Sequence, residues 1–212
     1  MTEITKLENE LELFWKWSKM DISDCETKSV DGTLYLRWNE LLDLALEAIR
    51  LVENGEKNER LLEKILEIMA LDNENEEILD HCETELNTPN LEHLISVGVS
   101  YSLPDTRWQI AELIGRKKNI EWKKYLLTLI NDKNKYVQRR ALLSLAKIHP
   151  DKAAEISYQK LRDEDEMLRV VSLRILEETS SILLSNAIQI LKDDLSKQVL
   201  EELRRVKRNI EI

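Results

Sequence analysis

The chain has 212 residues, with only 4 glycines and 3 prolines, too few turn-formers for a β-rich fold. Its 42% hydrophobic and 34% charged residues suit amphipathic helices and exclude disorder. The net charge of −10 is unevenly placed: residues 1–100 hold 24 Asp/Glu against 9 Lys/Arg, and residues 101–212 hold 17 against 22, so the first half repels nucleic acid and welcomes a basic protein.

The opening helix is expected over residues 3–19, where Leu7, Leu11, Phe14 and Trp15 keep the spacing of a buried stripe and Trp17 lies at its edge. Residues 21–33 are polar and read as a loop. A second helix over 35–53 aligns Trp38, Leu41, Leu42, Ala45, Ile49 and Val52, and Asn54-Gly55 ends it. A third, over 58–71, carries Leu61, Leu62, Ile65, Leu66 and Met69. A fourth, over 74–87, carries Ile78, Cys82 and Leu86. Helical pairs follow at 90–99 with 104–116, 119–131 with 135–148, 151–162 with 166–178, and 181–192 with 195–209. Short connections make such neighbours antiparallel.

Three second helices superpose at a 31-residue spacing. They begin Thr106-Arg107-Trp108, Val137-Gln138-Arg139 and Leu168-Arg169-Val170, and Asp132 and Asp163 each stand five residues before a start. At 100° per residue, offsets 0, 4, 7 and 8 face a core, and offsets 2, 3, 6 and 10 face away. A unit of this length cannot bury its apolar face without neighbours, so the periodicity predicts a stacked array. Lys207 at a core offset suits a terminal capping helix.

An Asp before the helix, an apolar residue followed by Arg, a small residue and a closing Leu-Gly or Leu-Ala resembles the HEAT repeat in its short, phycobilin-lyase-type form. Asp132, Val137, Ala141, Leu145 and Ala146 match it, as do Asp163, Leu168, Arg169, Ser172 and Leu176, and Arg107, Ala111, Ile114 and Gly115. Gln138 replaces the family's Arg and interrupts an Asp–Arg ladder. The resemblance implies an all-α fold, a right-handed α-solenoid of about five HEAT-like hairpins preceded by an N-terminal helical pair. The expected division is 1–56 for that pair and 57–212 for one continuous array. It also implies that the second helices line a concave binding side.

The outward offsets include Trp108, Glu112, Arg116, Arg139, Arg140, Leu143, Val170, Val171 and Arg174, with Tyr136 and Met167 just before their helices. Apolar and aromatic residues mixed with arginine are the composition of protein-binding hot spots. Tight curvature would instead bury Trp108 and the valines between neighbouring second helices, and both readings stay open.

Other chemistry is thin. Asp72, Glu74, Glu76 and Glu83 graze a calcium-loop spacing, but Glu77 stands where the loop needs glycine. The acids more simply complement a helix N-terminus and coat a solvated turn. His81, Cys82, His93 and Cys25 lack any paired zinc spacing. No phosphate loop, nucleophile elbow or metalloprotease motif occurs.

A non-enzymatic, cofactor-free and metal-free scaffold or inhibitor that binds another protein is therefore expected. Its sharper form is a bacterial immunity-type protein masking a basic toxin. The alternative is a nucleic-acid binder related to the HEAT-like alkylpurine DNA glycosylases, with Trp108, Arg116, Lys117, Lys118, Arg139, Arg140 and Lys147 as a basic cradle and Glu112 as the nearby acid; a phycobilin-lyase-like activity has only the repeat type behind it. No apolar run approaches the ~20 residues of a membrane span and no signal-peptide pattern opens the chain. A cytoplasmic location with reduced Cys25 and Cys82 follows as the expectation.

Overall fold

A computed structural model describes residues 2–26, 30, 32–56 and 58–210, which form twelve α-helices and no strand. They fall into two compact units, Met1–Leu113 and Ile114–Ile212. The boundary expected at residue 56 lies inside the first unit, where the helices on either side of it pack together; Lys57 lies outside the described residues.

The first unit holds α1 (Glu3–Ser18), α2 (Trp38–Glu53), α3 (Glu59–Leu71), α4 (Glu77–Glu85), α5 (Thr88–Gly98) and most of α6 (Pro104–Lys117). α2 packs on α1, α3 and α4 through Leu41, Ala45, Ile49 and Val52, all buried as their spacing predicts. The expected loop over 21–33 contains two short 3₁₀ turns, Ile22–Glu26 and the start of Gly32–Leu34; its residues 27–29 and 31 lie outside the described residues. α2 begins at Trp38 rather than near 35, because Tyr35 belongs to a turn that continues the second 3₁₀ segment.

Buried polar side chains on α6 serve backbone groups. Thr106 Oγ1 donates to Leu66 O at 2.8 Å and Gln109 Nε2 to Met69 O at 2.5 Å, fixing α6 against α3. Arg107 reaches back to the carbonyls of Tyr101 and Ser102, both at 2.8 Å.

α4 starts at Glu77, later than the expected 74, since Glu76 adopts a left-handed conformation. Asp72 is buried rather than coating a solvated turn, and its Oδ2 accepts from Ile78 N–H at 2.8 Å. Burial is the main reason its carboxyl is pushed up to about 6, with that hydrogen bond opposing and Glu77 and Asp80 assisting.

The second unit holds three hairpins, α7 (Lys123–Leu129) with α8 (Lys135–Ile148), α9 (Pro150–Lys160) with α10 (Glu166–Glu178), and α11 (Leu184–Leu191) with α12 (Lys197–Ile210). α8 packs on α10 and α10 on α12. The corner of each hairpin repeats at 31 residues. Asp132, Asp163 and Asp194 accept from the N–H two residues on, at 2.8, 3.0 and 2.8 Å. Asn134, Asp165 and Ser196 then cap the following helix. Within that helix Gln138 and Arg169 each reach back six residues, to Asp132 O at 2.6 Å and Asp163 O at 2.8 Å. Arg107 makes the same bond one period earlier.

The core offsets behave as the periodicity predicts: Val137, Ala141, Ser144 and Leu145, then Leu168, Ser172, Ile175 and Leu176, are all buried. Gly115 is needed where α6 meets α8, because a Cβ there would lie 2.8 Å from Ser144 Cβ and 3.1 Å from its Cα.

Two outcomes test this packing. Gly115→Val is expected to destabilise the protein by about 1–3 kcal/mol through overpacking, measured by urea unfolding. For Asp72 the folded carboxyl sits above its ordinary 3.8, so the native state holds the proton more tightly. Stability therefore falls as pH rises from about 4 through about 6, and Asp72→Asn flattens that slope in urea midpoints taken across the range.

Candidate interaction surface

The surface expected along the second helices divides by burial. Trp108, in the first unit, is buried and donates Nε1–H to Asp105 Oδ1 at 3.0 Å; Glu112, on the same helix, is half-buried. In the second unit Val170 and Val171 are buried, and Val170 packs with Leu173, Val199, Leu203 and Val206. These three apolar residues are packing, not exposed contact surface. α10 is flanked by α8, α9, α11 and α12, so it buries a wider arc than the single core stripe assumed from its sequence. Leu143, Arg116, Arg139 and Arg140 are half-buried.

Exposed apolar surface survives at the starts of these helices. Tyr136 on α8 and Met167 on α10 keep 41% and 38% of their surfaces open at positions 31 residues apart. The guanidinium carbons of Arg139 and Arg140 lie 5.4 and 5.9 Å from the Tyr136 ring centre, within cation–π range. Arg139 also pairs with Asp165, the cap of α10, at 3.0 Å.

Beside them, α10 and α12 enclose an open cleft of about 390 Å³. Met167, Val170 and Arg174 line it from α10; Gln198, Glu201, Glu202, Arg205 and Arg208 line it from α12. The α12 residues were not singled out from sequence. Their signal was present nonetheless, since Glu201, Glu202 and Arg205 stand 31 residues after Val170, Val171 and Arg174.

Four arginines here, Arg139, Arg169, Arg174 and Arg205, are engaged by carboxylates. Arg174 grips Glu202 with two 3.0 Å hydrogen bonds, and Arg205 bonds the same carboxylate at 3.0 and 2.8 Å while pairing with Glu177. Arg169 holds Asp194 with two bonds of 2.8 Å. Where Gln138 interrupts that ladder, Lys135 takes Asp163 at 2.7 Å and Lys160 reaches both Gln138 Oε1 and Asp163. Hydrogen bonding from Arg174, ahead of that from Arg205, lowers the Glu202 carboxyl to about 2. Hydrogen bonding to Asp194 and Glu202 likewise raises Arg169 and Arg174 above the usual guanidinium range.

Among the described residues no three His, Cys, Asp or Glu side chains gather as a metal site requires. Cys25 and Cys82 are buried free thiols, and burial raises both. No helix among the described residues is long and apolar enough to cross a membrane.

No protein-family model matches the chain, and no curated protein matches it. Among solved structures, an engineered protein from the Northeast Structural Genomics Consortium is 13% identical with a TM-score of 0.55, covering 100% of this chain and 97% of that one. A second engineered protein from the same consortium is 13% identical with a TM-score of 0.45, covering 82% of this chain and 50% of that one. The first likeness shows an all-helical fold and nothing of function.

The Glu202 cluster has a measurable signature. Its folded carboxyl lies below its ordinary 4.5, so its contribution is complete above that value and is lost as pH falls toward about 2. Glu202→Gln should cost about 2 kcal/mol near neutral pH, where a nearly buried carboxylate partner of two arginines is removed, and should blunt the acid loss seen by chemical denaturation.

Proposed function

We propose that this chain is a non-catalytic protein-binding array of HEAT-like type, an α-solenoid whose second helices offer the contact face. The 31-residue recurrence of the corner hydrogen bonds supports the repeat assignment. One observation carries the functional proposal: exposed Tyr136 and Met167 stand beside arginines that internal carboxylates hold in place. Tyr136 has few rotatable bonds and Arg139 is already held by Asp165, so both lose little entropy on meeting a partner, and aromatic, methionine and arginine side chains are enriched at protein interfaces.

The nucleic-acid alternative is less well supported. Phosphate binding draws its affinity from cations that displace counterions. Within the basic cradle Arg139 is committed to Asp165, so releasing it costs an internal pair, and residues 1–100 carry 24 acidic against 9 basic side chains. Masking of a basic toxin rests on the acidic first half of the sequence rather than on this surface.

Cross-linking of the tagged protein in its native host, followed by stoichiometric co-purification, tests the proposal. A partner is expected whose recovery falls by about tenfold with Met167→Glu combined with Tyr136→Ala, as for loss of interface anchors. Recovery unaffected by the double variant, or salt-sensitive duplex binding abolished by Arg139→Ala with Arg140→Ala, would overturn it.

A further inference from the structure

A different surface, on the first unit, has the build of a docking site. Phe14 is buried at the centre of an aromatic group, with Trp15, Trp17, Tyr35 and Trp38 rings 5.3, 5.5, 5.4 and 6.2 Å from it. The Trp17 ring also meets the Tyr35 ring at 5.3 Å with a 46° tilt, which brings the segment before α2 alongside the last turn of α1. That segment is pinned from beneath. Tyr35 Oη donates to the buried Glu10 at 2.7 Å, and Arg37 pairs with Glu10 and Glu40, both at 2.5 Å.

With alternate residues Tyr35 and Arg37 anchored on Glu10, Leu34 and Leu36 are left facing outward, 67% and 99% exposed. Leu13 and Trp17, one helical turn apart on α1, are also exposed. Four large apolar side chains are thus open to solvent on two segments that the Trp17–Tyr35 contact brings together, the kind of exposure that interaction sites show. Their surroundings are acidic. Glu12, Asp21, Glu40 and Asp43 are exposed on the adjoining segments against Lys16 and Lys19, and Arg37 is shared between two carboxylates. Residues 1–100 as a whole carry 24 acidic and 9 basic side chains.

We infer that Leu13, Trp17, Leu34 and Leu36 form a second docking surface, whose occupant is a basic amphipathic helix of another protein. Its apolar face covers the leucines and Trp17, and its flanking lysines or arginines meet the acidic rim. The buried Glu10 pairings hold the surface ready before the partner arrives, so little ordering entropy is lost on binding.

The test uses the full chain and a fluorescent Leu/Lys amphipathic peptide of about 18 residues, with its Leu/Glu counterpart as control. The Leu/Lys peptide is expected to bind and the Leu/Glu peptide to fail. Leu34→Glu with Leu36→Glu, at exposed positions where folding is undisturbed, should weaken binding by at least about tenfold. Met167→Glu should leave it unchanged, which separates this surface from the α10–α12 cleft. Equal affinity for the wild type and the Leu34/Leu36 variant, or preference for the acidic peptide, would overturn the inference. So would self-association of the wild type that Leu36→Glu abolishes, since the surface would then belong to a second copy.

Discussion

The second unit depends on how its hairpin corners satisfy their backbone. A chain that turns sharply between two helices leaves N–H and carbonyl groups unpaired, and each would be costly to bury. Here an aspartate closes the turn, a polar cap starts the next helix, and a Gln or Arg reaches back six residues to a carbonyl. The aspartate and its hydrogen bond recur at all three corners, while the cap varies among Asn134, Asp165 and Ser196 and the reach-back bond is made by Gln138 and Arg169.

That same chemistry shapes the surface. Three arginines on α8 and α10 are spent on carboxylates from the next corner or helix, in the pairs Arg139–Asp165, Arg169–Asp194 and Arg174–Glu202. Interlocked pairs hold long side chains in single orientations. They also leave the cleft between α10 and α12 chemically mixed, where an isolated run of arginines would have made it basic. The first unit solves a related problem differently, placing Glu10 and Glu67 inside the fold and matching each with an aromatic donor and a cation: Tyr35 and Arg37 for Glu10, Trp15 and Lys64 for Glu67.

Much of the helical layout was legible in the residues. Leu41, Ala45, Ile49 and Val52 declared their side of α2 by spacing, and Val137, Ala141 and Leu145 did so for α8. The direction of residues at the remaining offsets was not. Trp108, Val170 and Val171 are buried; for the valines the reason is that α10 has neighbours on several sides, and a period measures angle about one axis without counting neighbours. Helix starts shifted for local reasons: the left-handed Glu76 delayed α4, and the turn at Tyr35 delayed α2. Asp72 looked like one acid among many until the fold enclosed it.

Sequence by itself determined the all-helical class, the 31-residue unit and the core stripe of most helices, since these follow from local propensity and angular periodicity. Only the tertiary structure decided which carboxylate each arginine meets, which outward offsets are covered, and that Leu34 and Leu36 stay exposed. Those outcomes depend on groups brought together from residues tens of positions apart, as when Arg174 meets Glu202 or Tyr35 meets Glu10. No pattern within one helix encodes such distances.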